Sequence, residues 1–323
     1  MTKHIYIYSP SGAVRDKAAF RRGIARLKTL GHEVEVDESA LVSYQRFAGT
    51  DETRLAAIHR ASASGADVAL ISRGGYGLTR ILPEIRYKKV AKAIDKGMRF
   101  VGISDFTAFQ CALLAQTGAQ TWAGPALCEG FGAGGKPGVG PDEIMEACFD
   151  DMLSGQGQGT GWRQHRSNLA ITTTFIADNE DAVRAKGIFS IENGVLWGGN
   201  LTVLTALLGT PFFPKIKNGI LFLEDVAEHP YRIERMCTQL LQAGILDRQK
   251  AVLLGQFTDF KLTGHDRGYK LQTVIDWLRG HTQTPILTNL PYGHVATKVL
   301  LPVGASTGLN VQGKDVLLTW GHV

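Results

Sequence analysis

With 323 residues, 44% of them hydrophobic and 20% charged, the chain is long enough for one large α/β domain or two ordinary ones and has ample material for a core. Its net charge of +5 comes from scattered Lys and Arg, and the densest basic patch, RYKKVAKAIDKG (86–97), spaces its charges as a solvated helix face does, against a nucleic-acid-binding stripe. The four cysteines (Cys111, Cys128, Cys148, Cys237) form no CxxC pair and no clustered Cys/His spacing, so buried reduced thiols are expected, without a disulfide framework or a zinc site.

The N-terminus, MTKHIYIYSPSG, is too short and polar for a signal peptide, and no apolar run reaches the ~18 residues of a membrane span; the expected location is cytoplasmic. HIYIYS (4–9) reads as a first strand ending in the turn PSG. KAAFRRGIARLKTLG (17–31) repeats apolar residues at three and four, as a helix does, with Gly31 as its C-terminal stop. HEVEVD alternates as a strand, and DETRLAAIHRASAS (51–64) reads as a helix. ADVALIS (66–72) is an apolar strand running into RGGYG. MRFVGI (98–103) is another, followed by the helix FTAFQCALLAQTG (106–118). Short connections between such elements predict a parallel sheet covered on both faces, with ligands at the carboxyl ends of its strands. RGGYG and GISD both lie at such ends.

EGFGAGGKPGVGPDE (129–143) reads as a linker, because eight of its fifteen residues are Gly or Pro. A helix, DEIMEACFDDMLSG, follows it. From about residue 160 strands dominate: NLAITTTFIA, AKGIFSIENGVLWGG, NGILFLED, AVLLGQFT, VLLPVGA and LNVQGKDVLLTW, with helices expected at 200–208, 231–243 and 269–279. The predicted architecture is α/β: an N-terminal parallel-sheet domain with flanking helices over 1–160, and a strand-rich C-terminal α/β domain over 161–323.

Three places can carry chemistry. Ser104, between a strand and a helix, is either a helix cap or a nucleophile on a tight turn; Phe106 stands where a G-x-S-x-G elbow would have its second glycine. The RGGYG loop (73–77) lacks the Gly-Lys-Ser/Thr ending of a phosphate loop and the spacing of a dinucleotide loop. It is either a plain turn or a source of amide donors at Gly74 or Gly75. Glu224 and Asp225 follow a buried strand, where an acid could orient a histidine. His294 sits on a Pro-Tyr-Gly turn, whereas His165 and His265 lie in solvated surroundings. There is no H-E-x-x-H and no pair of histidines four apart on a helix, so no metal or other cofactor is expected.

Taken in order, YSPSG, FAGTDETRL (47–55), SRGGYGLTRILPEI (72–85), VGISDFTAF (101–109), GP (124–125), WGGNLTVL (197–204), LFLEDVAEHPYRIERM (221–236), GQF (255–257) and LPYGHVATKVLLPVG (290–304) closely resemble the serine LD-carboxypeptidase family. That family comprises muramoyltetrapeptide carboxypeptidases and the related microcin C immunity peptidases. The resemblance implies a Ser-Glu-His triad of Ser104, Glu224 and His294, with backbone oxyanion donors at Gly75 and Asp105. It also implies a serine from the N-terminal domain, with its two partners from the C-terminal domain. The implied substrate is a murein-derived tetrapeptide losing its terminal D-alanine, in cell-wall recycling, by a homodimeric enzyme. Arg73 and Arg232 are candidates for the terminal carboxylate, and Trp197 for a pocket wall or the core. The alternatives are cleavage of a peptidyl- or aminoacyl-nucleotide, and non-catalytic muropeptide binding.

Overall fold

The strand–helix alternation of the first third folds into a parallel sheet. In the computed structural model, which describes residues 2–135, 140–164 and 188–322, the elements here are β1 (His4–Tyr8), α1 (Lys17–Thr29), β2 (Glu33–Val36), α2 (Asp51–Ala63), β3 (Val68–Ile71), α3 (Leu78–Ile81), α4 (Tyr87–Asp95), β4 (Arg99–Gly102), α5 (Phe106–Thr117), β5 (Thr121–Ala123) and α6 (Glu143–Ser154). The sheet order is β2-β1-β3-β4-β5, all parallel, with the later strand Leu301–Val303 antiparallel on β5. Because β1 pairs with β2 on one side and β3 on the other, the strand order reverses there. The loops after β1 and β3 lie at that reversal, the place where such sheets bind ligands. The turns Ser9–Gly12 and Arg73–Gly77 are those loops.

Local chemistry sets the helix ends. Asp16 accepts the Ala18 and Ala19 N–H groups at 2.8 Å each and starts α1, whose buried residues Ala19, Phe20, Gly23 and Leu27 recur at three and four. The last helical residue is Thr29, so Gly31 lies just past the end, at φ +90°. Asp142 caps α6 through Met145 N–H at 2.9 Å. All of β3 is buried, as expected for a strand covered on both faces.

One expectation fails in this region. The start of the glycine-rich segment is packed structure, a π-helical turn over Leu127–Phe131. Phe131 is buried and meets Phe149 edge-on, with ring centroids 4.9 Å apart. The glycines serve close packing: a side chain at Gly132 would strike the carbonyl of Ala19 in α1. Glycine density alone could not distinguish that from a linker.

The second sheet contains β6 (Gly159–Arg163), β7 (Ile188–Asn200), β8 (Ile220–Val226), β9 (Ala251–Thr258), β10 (Ile286–Leu287), β12 (Ser306–Gln312) and β13 (Asp315–Thr319), the strand Leu301–Val303 being β11. Its helices are α7 (Leu201–Ala206), α8 (Pro230–Gln242) and α9 (Leu271–Arg279). The order is β10-β9-β8-β7-β12-β13-β6. β7 is long enough to serve two halves: it runs parallel to β8 at one end and antiparallel to β12 along the other. The expected strand NLAITTTFIA and His165 lie outside the described residues.

The described residues cluster into two compact units, the first being Met1–Gly157, Leu207–Pro214 and Ala296–Gly304, the second Gln158–Ala206, Lys215–Val295 and Ala305–Val323. Among the described residues no helix is long and apolar enough to cross a membrane.

Candidate active site

In the first unit, β4 ends in a sharp turn that lifts Ser104 out of the sheet. Ser104 is half-buried and holds a left-handed φ of 68°, a region L-residues rarely occupy. The residue directly before α5 is Asp105, not Ser104, and among the described residues the Ser104 hydroxyl accepts no N–H of the first turn, so Ser104 does not cap this helix. Asp105 takes the cap position with helical angles and no side-chain cap bond. The turn is closed by Phe106 N–H to Ile103 O at 3.3 Å and Thr107 N–H to Ser104 O at 2.9 Å.

Gly74 stands against this turn, with Gly75 next to it in the chain. A Cβ on Gly74 would lie 2.6 Å from Ser104 Cβ, so only glycine allows the two loops to meet. Gly75 takes φ +122°, which bends the loop past Gly12. The backbone N–H groups of Gly75 and Asp105 donate no hydrogen bond among the described residues. They are the two amides that the family resemblance names as oxyanion donors.

The Asp105 side chain is 2% exposed. It accepts Ser11 Oγ at 2.5 Å and Leu78 N–H at 2.9 Å, tying together the loops after β1, β3 and β4. Burial pushes its carboxyl up; the bonds from Ser11 and Leu78 and the charge of the fully buried Arg54 oppose that. Arg73 packs over Gly12 and Gly75 and pairs with Glu129 at 3.6 Å.

In the second unit, Glu224 emerges near the end of β8, fully buried, and its Oε2 accepts His294 Nδ1–H at 2.7 Å. The imidazole is presented by the Pro-Tyr-Gly turn. Tyr292 anchors that turn edge-on against Phe222 at 5.4 Å, and Gly293 takes φ +145° close beside Glu224. With Nδ1 engaged by the carboxylate, proton exchange with a reacting group falls to Nε2. Glu224 is itself held: Asn200 Nδ2 donates to Glu224 Oε1 at 3.2 Å and to Asp225 Oδ1 at 2.9 Å. Burial first, and then the Glu224 charge, raise the carboxyl of Asp225, against bonds from Thr202, Val226 and Asn200.

Ser104, Asp105, Gly74, Gly75 and Arg73 thus share the first unit, and Glu224 and His294 form a hydrogen-bonded pair in the second. Trp197 is fully buried, its indole N–H donating to Gln249 Oε1 at 3.0 Å, as a core tryptophan does. Arg232 is exposed on α8 and pairs with Glu228 one turn away. His265 is exposed. Sequence reasoning missed Asn200 and Ser11. Asn200 had a local signal, an Asn between a strand and a helix, where its Oδ1 accepts Val203 N–H at 3.1 Å; Ser11 had only the small-residue turn.

Comparison with known proteins adds an independent line. Residues 5–124 match the LD-carboxypeptidase N-terminal domain and residues 193–309 the LD-carboxypeptidase C-terminal domain. A muramoyltetrapeptide carboxypeptidase from Oxalobacter formigenes is 36% identical, with 98% of each chain covered and a TM-score of 0.82. A probable murein peptide carboxypeptidase of Bacillus subtilis is 27% identical over 91% of this chain and 85% of its own. The microcin C7 self-immunity protein of Escherichia coli is 29% identical over 76% of this chain and 72% of its own.

Proposed function

This chain belongs to the LD-carboxypeptidase family and is a serine-type carboxypeptidase, and from that premise we propose that it removes the terminal D-alanine from murein-derived tetrapeptides, with Ser104 as nucleophile. The observation that carries this reading is the Ser104 turn itself: a left-handed serine at a strand end, packed on Gly74, beside the Gly75 and Asp105 amides.

In the reaction, Ser104 Oγ attacks the carbonyl preceding the terminal D-residue while His294 Nε2 accepts its proton. The carbonyl oxygen becomes an oxyanion and takes hydrogen bonds from Gly75 and Asp105 N–H, each contributing about 3 kcal/mol to the transition state. His294 then donates its proton to the departing amine, and D-alanine leaves. Water, activated by the same imidazole, hydrolyses the acyl-enzyme and restores Ser104. Glu224 fixes the Nδ1–H tautomer and stabilises the imidazolium. The fully buried carboxylate with a 2.7 Å bond to His294 supports that role.

The relative from Oxalobacter formigenes supports a muropeptide substrate, and the microcin C7 self-immunity protein supports a second reading, cleavage of an aminoacyl-nucleotide. In the first reading the enzyme serves cell-wall recycling in the cytoplasm as a homodimer; free thiols at Cys111, Cys128 and Cys237, pushed up to about 12 chiefly by burial, fit a reducing compartment. The test is incubation with a muropeptide tetrapeptide and with an aminoacyl-sulfamoyl adenylate, beside a Ser104→Ala protein. Release of D-alanine from the tetrapeptide alone is expected. Cleavage of the adenylate alone would favour the second reading, and full activity in Ser104→Ala would defeat the mechanism.

A further inference from the structure

The loop between β2 and α2 carries an arginine that the chemistry above leaves unused. Tyr44 N–H donates to Phe47 O at 3.0 Å and Phe47 N–H donates back to Tyr44 O at 2.9 Å, closing a two-residue turn with Gln45 at φ 53°. Reciprocal bonds of this kind make a rigid tip, and here they display Gln45 and Arg46, both exposed.

That tip is tied to the surroundings of Ser104. Arg46 O accepts Ala13 N–H at 3.0 Å, and the neighbouring Gly12 N–H donates to Gly74 O at 3.1 Å. The guanidinium carbon of Arg46 lies 5.9 Å from the ring centroid of Tyr76, the residue after Gly75, and Tyr76 is 45% exposed. An aromatic face steadies a guanidinium while leaving its planar N–H edge open to a carboxylate.

Three nearby arginines of the same unit are committed: Arg54 and Arg80 pair with Asp51, and Arg73 with Glu129. Among the described residues Arg46 pairs with no carboxylate. An enzyme that cuts only the last residue of a peptide must read the free carboxylate at its end, and a fork of guanidinium donors does so with geometric precision.

We propose that Arg46, steadied by Tyr76, binds the C-terminal carboxylate of the peptide substrate and so registers the scissile carbonyl on the Gly75 and Asp105 amides. This rests on the carboxypeptidase reading above. The turn is exposed and held by backbone bonds, so Arg46→Gln leaves the fold intact.

The test compares a tetrapeptide bearing a free C-terminal carboxylate with its C-terminal carboxamide, in the wild-type, Arg46→Gln and Arg46→Lys proteins. A charge-assisted hydrogen-bonded pair corresponds to about 10- to 100-fold in kcat/KM. Arg46→Gln is expected to lose that factor on the acid, with a raised KM, and to match wild type on the amide. Arg46→Lys falls between. An equal loss on both substrates, or none on the acid, overturns the proposal.

Equilibrium binding to the Ser104→Ala protein, with and without Arg46→Gln, separates this proposal from the activity it rests on. If the wild type releases no D-alanine but Arg46→Gln abolishes acid-over-amide preference in binding, the activity reading fails and the carboxylate site stands. If binding never distinguishes acid from amide, the site fails whatever the activity.

Discussion

Gly74→Ala isolates the contact that holds Ser104, the proposed nucleophile. Gly74 has no positive φ, so its backbone accepts alanine without strain. The new Cβ would fall 2.6 Å from Ser104 Cβ, 2.8 Å from Ser104 Oγ and 3.4 Å from Ile103 O. Carbon atoms pack at about 3.5–4.0 Å, so Ser104 and Gly74 must separate by roughly 1 Å. Ser104 has little room to yield, because its turn is closed by two backbone bonds and the next residue is clamped through Ser11 and Leu78. A misplacement of that size costs about 10²-fold in rate, whereas overpacking at one methyl costs about 1–3 kcal/mol of stability. The assay pairs kcat/KM for D-alanine release with thermal unfolding. Gly264→Ala serves as the control, since a Cβ there meets nothing within 4 Å and neither measurement should move. A Gly74→Ala protein with unchanged kcat/KM would refute the reasoning, for the turn would then be either soft or irrelevant to the reaction.

Two further predictions follow from buried carboxylates. Glu224→Gln can turn an amide N–H toward His294 Nδ1, selecting the wrong tautomer; kcat should fall about 10³–10⁴-fold with KM little changed, and a drop under tenfold would deny Glu224 its role. Asp37 accepts bonds from Tyr6 at 2.7 Å and Arg60 at 2.8 and 2.9 Å. Burial works against its ionisation, but Arg60, Ser39 and Tyr6 prevail and bring it down to about 2, from 3.8. A folded-state pKa below the unfolded one stabilises above the unfolded value, here by about 2 kcal/mol at pH 7, and that contribution fades as pH falls from near 4 toward 2. The stability gap between wild type and Asp37→Asn should therefore be full at pH 6 and narrow below pH 4 in chemical denaturation; a gap constant across that range would contradict the linkage.

The parallel sheet was legible because its signals are local: apolar runs of strand length, helical spacing of apolar residues, and glycines past helix ends. RGGYG and GISD could be placed at strand ends for the same reason. Ser104 was ambiguous because a cap and a nucleophile differ by one backbone angle, which residue identity does not reveal. Glu224 and His294 lie 70 residues apart, and no local pattern says that β8 and the Pro-Tyr-Gly turn meet. Only the ordered set of family motifs joined them. Asn200 stayed hidden because its role depends on β7 lying in register with β8, Asn200 opposite Glu224. Arg46 did too, since its lack of an ion partner among the described residues is a fact of three dimensions. The glycines of 129–132 read as loose chain because composition reports freedom before folding and says nothing of the packing found after it.

Ser104 at φ 68° sets chemistry against durability at a single residue. A side chain in that conformation costs on the order of 1–2 kcal/mol, a penalty glycine avoids. Glycine gives back part of the gain through a freer unfolded chain. Ser104→Gly is therefore expected to be level with or sturdier than the wild type, while Ser104→Ala, on the proposed mechanism, keeps the burden without the reaction. A lineage released from selection for turnover would drift toward glycine here. Among related chains, a glycine at this turn would mark a retired enzyme, kept as a scaffold after its reaction was abandoned.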